Sequence, residues 1–162
     1  MPDLLTHVLC VYVLLTPLSW RVEWIQRRHV ALVMVGTVVP DVSKAHLLVD
    51  SSVVAEAVGR PWRWAGIHRL GPAGVLAGIG AMGFERGRRL SAFGWLLGGV
   101  LVHLVFDLAV VRASGLAPPY LYPFTWWQPP SADLLLSSDI WPWLLTAPLA
   151  GVVWLVDRRR SG

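Results

Sequence analysis

Apolar residues gather along this chain into five long runs separated by short polar clusters: Leu4–Trp20, His29–Val39, Leu70–Phe84, Ala92–Val111 and Trp141–Val156. A helix needs about 20 predominantly apolar residues to cross a bilayer core. Ala92–Val111 is long enough by itself, and the first, third and fifth runs are near the lower limit. The second is too short, unless it continues past Pro40 into Val42–Val49 or breaks at Pro40 as a re-entrant helix sheltered by its neighbours. The pattern predicts an all-α integral membrane bundle of about five transmembrane helices, the second short or broken at Pro40, forming one domain over residues 1–162.

Composition agrees. Of 162 residues, 55% are hydrophobic and 15% charged, and the mean hydropathy of +0.55 is high for an ordinary soluble domain. The net charge of +4 does not point to nucleic acid, because the basic residues fall in short clusters between apolar runs. Cys10 is the only cysteine, which excludes a disulfide framework and a thiolate zinc site. No Lys or Arg precedes Arg21, and Thr16-Pro17-Leu18-Ser19 is a poor cleavage site, so Leu4–Trp20 reads as a retained helix.

Charge placement sets an expected orientation. Five crossings put Arg21, Arg27, Arg28, Arg86, Arg88, Arg89, Arg158, Arg159 and Arg160 on one side, and Lys44, Arg60, Arg63, Arg69 and Arg112 on the other. Nine against five places the N-terminus outside and the C-terminus in the cytoplasm of a cell (inner) membrane. Trp20, Trp24, Trp95 and Trp154 then lie near the inner interface, and Trp62, Trp64, Trp141 and Trp143 near the outer one. Glycines suggest where helices touch: an antiparallel hairpin of the third and fourth runs sets Gly83 opposite Gly94 and Gly78 opposite Gly99.

Ionisable residues inside such a bundle are costly and usually functional. His103 and Asp107, four apart, share one helix face. In the hairpin His68 is nearly level with Asp107, about 3 Å away along the axis at 1.5 Å per residue. His7 and Asp41 fall toward the same outer side. Three imidazoles and two carboxylates at one depth suit a divalent metal, most readily zinc, with manganese or iron as alternatives. His29, beside Arg27-Arg28, is set aside as an inner-interface residue. His46 and Asp50 form either a surface pair or a fallback ligand pair. Each member also has a plainer role open to it, as a helix-start residue (His7), a helix end (Asp41) or a lipid-phosphate contact (His68-Arg69).

The ordered set Thr6-His7, Gly36-Thr37-Val38-Val39-Pro40-Asp41, His68-Arg69, His103-Leu104-Val105-Phe106-Asp107 and Pro123-Phe124 resembles the membrane-bound metal-dependent hydrolases, also described as LexA-binding, inner-membrane-associated hydrolases. The resemblance covers nearly the whole chain. The order of His, Asp, His and HxxxD is also distantly similar to zinc-dependent phospholipase C. Many family members carry a second histidine five residues after the first in an HRxxTH-like segment. This chain has Ala73 there, which puts a two-metal site and activity itself in question.

The resemblance implies hydrolysis by metal-activated water on a phosphoester or lipid-linked substrate. Metal ligands would be His68, His103 and Asp107, with His7 as a fourth, while Asp41 serves as general base or further ligand and Arg69 holds an anionic group. Two other classes stay open: a non-catalytic membrane protein whose His and Asp residues pair helices or bind a partner, and a transporter or proton relay built on Asp107. The stretch Arg112–Ile140, with five prolines among Tyr120, Tyr122, Phe124, Trp126 and Trp127, predicts an irregular interfacial loop that caps the site or simply anchors there. Ser138-Asp139 is expected to start the last helix, with Asp139 as its cap.

Overall fold

Each apolar run folds as a helix. The computed structural model describes residues 4–161, and among them it is all-helical, with only the isolated bridges Val110–Leu135 and Leu116–Pro130 elsewhere. The helices are α1 (Leu4–Ser19), α2 (Arg27–Val38), α3 (Ser51–Val58), α4 (Leu70–Met82), α5 (Arg89–Phe106) and α6 (Trp141–Ser161). Helix α3 lies between the second and third apolar runs. Its ends explain it: the Asp50 carboxylate accepts the Ser52 N–H at 2.8 Å, and Gly59 closes the helix with φ +69°.

The break at Pro40 has a local cause. Proline has no N–H to give to the Gly36 carbonyl, which Val39 N–H takes instead at 3.2 Å. The chain tightens into a 3-10 helix over Pro40–Leu47, bent 43° from α2. A second such tightening, Asp107–Ala109, ends α5, so Asp107 stands at the C-cap of the helix rather than within it.

Helix α5 is central. It packs on α2 and α4, while α1 packs on α2 and α6. Ala73, Ala77 and Ala81 of α4 meet Ala92, Leu96, Val100 and Leu104 of α5, with Ala117 and Tyr120 of the long loop completing this core. The predicted glycine register needs correction. Gly78 faces the Phe93 ring and Gly74 faces Leu97, whereas Gly99 turns to α2. A Cβ at Gly99 would lie 2.7 Å from the Gly36 Cα, so the backbone-to-backbone seam runs between α2 and α5.

The two ends of α5 differ. At its start, Trp95 stacks on His29 (4.6 Å between centroids). In the same region Asp157 of α6 accepts from Trp20 Nε1 at 3.0 Å and pairs with Arg27 at 3.0 Å. At its end lie His103 and Asp107. Among the described residues one helical stretch, Arg86–Ala109, is long and apolar enough to cross a membrane, and Arg27–Leu47 qualifies only if the bent pair counts as one span. Helix α6 leaves Leu144, Leu145, Leu149, Val152 and Leu155 exposed.

Candidate metal centre

Four parts of the chain deliver the cluster. Helix α1 brings His7, the 3-10 helix after Pro40 brings Asp41, the turn before α4 brings His68, and the end of α5 brings His103 and Asp107. All five are buried, with Asp107 and His103 wholly so. His68 Nε2 lies 2.6 Å from Asp107 Oδ2, and His103 Nε2 lies 3.5 Å from the same oxygen. His7 Nε2 is 3.5 Å from Asp107 Oδ1, and its ring stacks on His103 at 4.2 Å. Asp41 Oδ1 is 4.0 Å from His103 Nε2. The depth argument from sequence therefore brings together all five of its proposed polar residues.

The backbone decides which nitrogen faces inward. His103 Nδ1 is 2.7 Å from the Thr37 carbonyl, and His68 Nδ1 is 3.2 Å from the Pro40 carbonyl. A carbonyl only accepts, so each Nδ1 donates to it and each Nε2 is the nitrogen turned toward the cluster. Metal-bound histidines are held in this way, with the outer ring nitrogen donating to a carbonyl. Each Nε2 faces a carboxylate oxygen, an arrangement that calls for a cation or a proton between them. Asp41 Oδ1, His103 Nε2 and Asp107 Oδ1 have no hydrogen-bond partner among the described residues. Leaving such groups buried and unmet costs about 1–3 kcal/mol each, more when charged. These residues fit a divalent cation.

Two triads offer ligand atoms within 4.8 Å of one another: His7, His103 and Asp107; and Asp41, His68 and His103. Both use His103. Its Nδ1 is committed to Thr37, so only Nε2 remains to coordinate.

Lys44 was not foreseen here. Its ammonium pairs with Asp41 Oδ2 at 2.8 Å, which leaves Oδ1 turned toward His103. The i,i+3 spacing within Asp41–Lys44 was the available signal. Thr37 and Pro40 were also missed as supports, because they act through carbonyls that side-chain chemistry does not reveal.

Beside the cluster opens a cleft of about 710 Å³, with His68 and Arg69 in its wall. Arg69 is not in the cluster; its guanidinium lies 5.3 Å from the Tyr122 ring centre and 5.5 Å from that of Trp126. The long loop is pinned there because Leu70 N–H and Gly71 N–H, unpaired donors of the first turn of α4, bond to the Tyr120 and Tyr122 carbonyls at 2.8 Å each. Tyr120 accepts from Arg112 Nη2 at 3.0 Å. Burial, aided by the nearby Asp107 carboxylate, pushes its phenol up to about 12 against the opposing Arg112 charge, so it stays neutral.

The fallback pair goes elsewhere. His46 Nδ1 contacts the Ser43 carbonyl at 2.9 Å and Asp50 caps α3, both in the cleft wall and outside the two triads. Asp139 does not cap α6; its carboxylate turns back to the Leu136 N–H at 2.8 Å. Ala73 is fully buried in the apolar core. No family model, curated protein or solved structure matches this chain.

Proposed function

We propose that the protein is a membrane-bound, metal-dependent hydrolase with one zinc-type centre, related to the family its motifs resemble. The observation that carries this reading is the pair of imidazoles whose Nδ1 atoms are held by backbone carbonyls, which turns both Nε2 atoms on buried carboxylates. His68, His103 and Asp107 would hold the ion, with His7 as the fourth ligand. A bound divalent ion supplies Lewis acidity and lowers the pKa of its water toward ~7. Asp41, oriented by Lys44, is the general base, and Arg69 holds an anionic part of a phosphoester or lipid-linked substrate. The shared His103 Nε2 favours one ion over two.

In this reading α1, α2 with its bent continuation, α4, α5 and α6 make five crossings of the cell membrane, with the site toward the outer leaflet and the C-terminus in the cytoplasm. Support comes from the apolar length of Arg86–Ala109 and the exposed leucines and valine of α6. Reporter fusions at Arg60 and after Arg160 should report opposite sides.

Metal analysis of detergent-purified protein tests the centre. One equivalent of zinc, lost in both His103→Ala and Asp107→Ala, is expected; metal content unchanged by either substitution would remove the proposal. Metal-dependent turnover lost in Asp41→Asn and His68→Ala tests the enzyme. A second reading rests on the 2.6 Å His68–Asp107 contact: a protonated His68 paired with Asp107 ties α4 to α5 without any metal. It predicts stability lost in His68→Ala and no bound ion.

A further inference from the structure

The cleft beside the cluster is strongly cationic. Lys44, Arg63, Arg69 and Arg112 line it, against the single carboxylate of Asp50. Lys44 is answered by Asp41. The three arginines are not: no ion pair among the described residues includes Arg63, Arg69 or Arg112. Arg69 is held over Tyr122 and Trp126, which orients a guanidinium without neutralising it. Arg112 spends one nitrogen on the Tyr120 hydroxyl, and its Nε is buried with no hydrogen-bond partner among the described residues. Tyr120 accepts that bond, so its own O–H remains to be donated.

Counting Lys44 and Asp41 as mutually satisfied, three guanidiniums against Asp50 leave a surplus of two positive charges. A phosphodiester carries one negative charge, whereas a phosphomonoester carries about 1.5–2 at pH 7. Trp126, under the Arg69 guanidinium at the edge of the cleft, is exposed, as are Phe124 and Trp127 in the same loop.

We propose that this cleft is a specificity site for the phosphate dianion of a phosphomonoester, with Arg63, Arg69 and Arg112 as its donors and an apolar chain of the ligand lying on the exposed Trp126 beside Arg69. It names the substrate class of the hydrolase reading and rests on it. The site sorts phosphomonoesters from diesters by charge, and bidentate guanidinium–phosphate bonds supply the geometry.

Binding is measured on full-length, detergent-purified protein after chelator treatment, so that it does not depend on a metal or on turnover. Glycerol 3-phosphate should bind at least tenfold tighter than dimethyl phosphate. Its affinity should fall as pH drops below about 6, where the second phosphate proton returns. Arg69→Gln and Arg112→Gln should each weaken it about tenfold. Arg63→Gln, on an exposed side chain that leaves the fold undisturbed, should weaken it severalfold, and Arg86→Gln at the opposite end should change nothing. Nanodiscs identify the source: displacement of the soluble probe by phosphatidic acid, but not by phosphatidylglycerol, supports an amphiphilic monoester. Failure of phosphatidic acid to compete overturns the amphiphile. Equal binding of mono- and diester, or indifference to all three arginine substitutions, overturns the site. Anion binding by a protein that carries no metal as purified, before any chelator, would count against the hydrolase alone.

Discussion

Gly36 and Gly99 lie backbone against backbone where α2 crosses α5, and their neighbours complete the site. A Cβ on Gly36 would sit 3.0 Å from the Gly99 Cα. One residue beyond Gly36, the Thr37 carbonyl reaches His103 Nδ1, one turn beyond Gly99, at 2.7 Å. Close approach and ring orientation are thus one feature.

Gly99→Ala should therefore cost about 1–3 kcal/mol through overpacking against backbone that cannot move aside. It should also weaken zinc binding by separating Thr37 from His103. Thermal melting and zinc titration of the variant check this. Gly94→Ala, whose Cβ meets nothing within 4 Å, is the control. Equal effects from the two would refute the seam.

Removing the metal should lower stability. An ion bound a thousandfold above its dissociation constant contributes about 4 kcal/mol, and the buried imidazole and carboxylates around His103 are left facing one another without it. Melting with and without chelator should differ clearly in the natural protein. The difference should vanish in Asp107→Ala; a chelator shift that persists there would place the metal elsewhere.

Ala73→His should not restore a second metal. The position is fully buried among Ala77, Val100, Leu104 and Tyr120, so an imidazole there overpacks the α4–α5 contact and buries a polar group. We expect loss of folded protein of at least about 1–3 kcal/mol and no rise in metal content. A stable variant binding two ions would contradict this packing.

Asp133 anchors the loop through charge. Its carboxylate accepts from Ser131 Oγ at 2.6 Å and Arg112 N–H at 3.1 Å, and these bonds hold it below the usual carboxylate range. A lowered folded value means the stabilisation is complete above the unfolded value of ~3.9 and lost as pH falls through the folded one. Protease susceptibility of the Arg112–Asp133 segment should therefore rise in acid. Asp133→Asn, which tolerates the observed φ of +51°, should remove that acid sensitivity; unchanged sensitivity in this variant would assign it to another group.

Much of the fold was open to reading in sequence because apolar runs and prolines act locally. The five runs, the break at Pro40 and the irregular aromatic loop follow from that. The site was legible as depth: counting residues from the turn set His68 level with Asp107, and the two side chains meet. The same counting misassigned Gly99, because a helix has several faces and residue spacing alone does not say which neighbour each face meets.

The linear order of residues decided which chemistry is present: three histidines, two acids and a set of arginines placed near the same end of their helices. Only the tertiary structure decided which nitrogen of each ring points inward, that Lys44 holds Asp41, and that Arg63, Arg69 and Arg112 share one cleft whose described lining has Asp50 as its one acid. The reason is physical. Helix formation depends on neighbours a turn away, whereas tautomer, ion pairing and charge surplus depend on carbonyls and side chains that come close only once α2, α4 and α5 have packed.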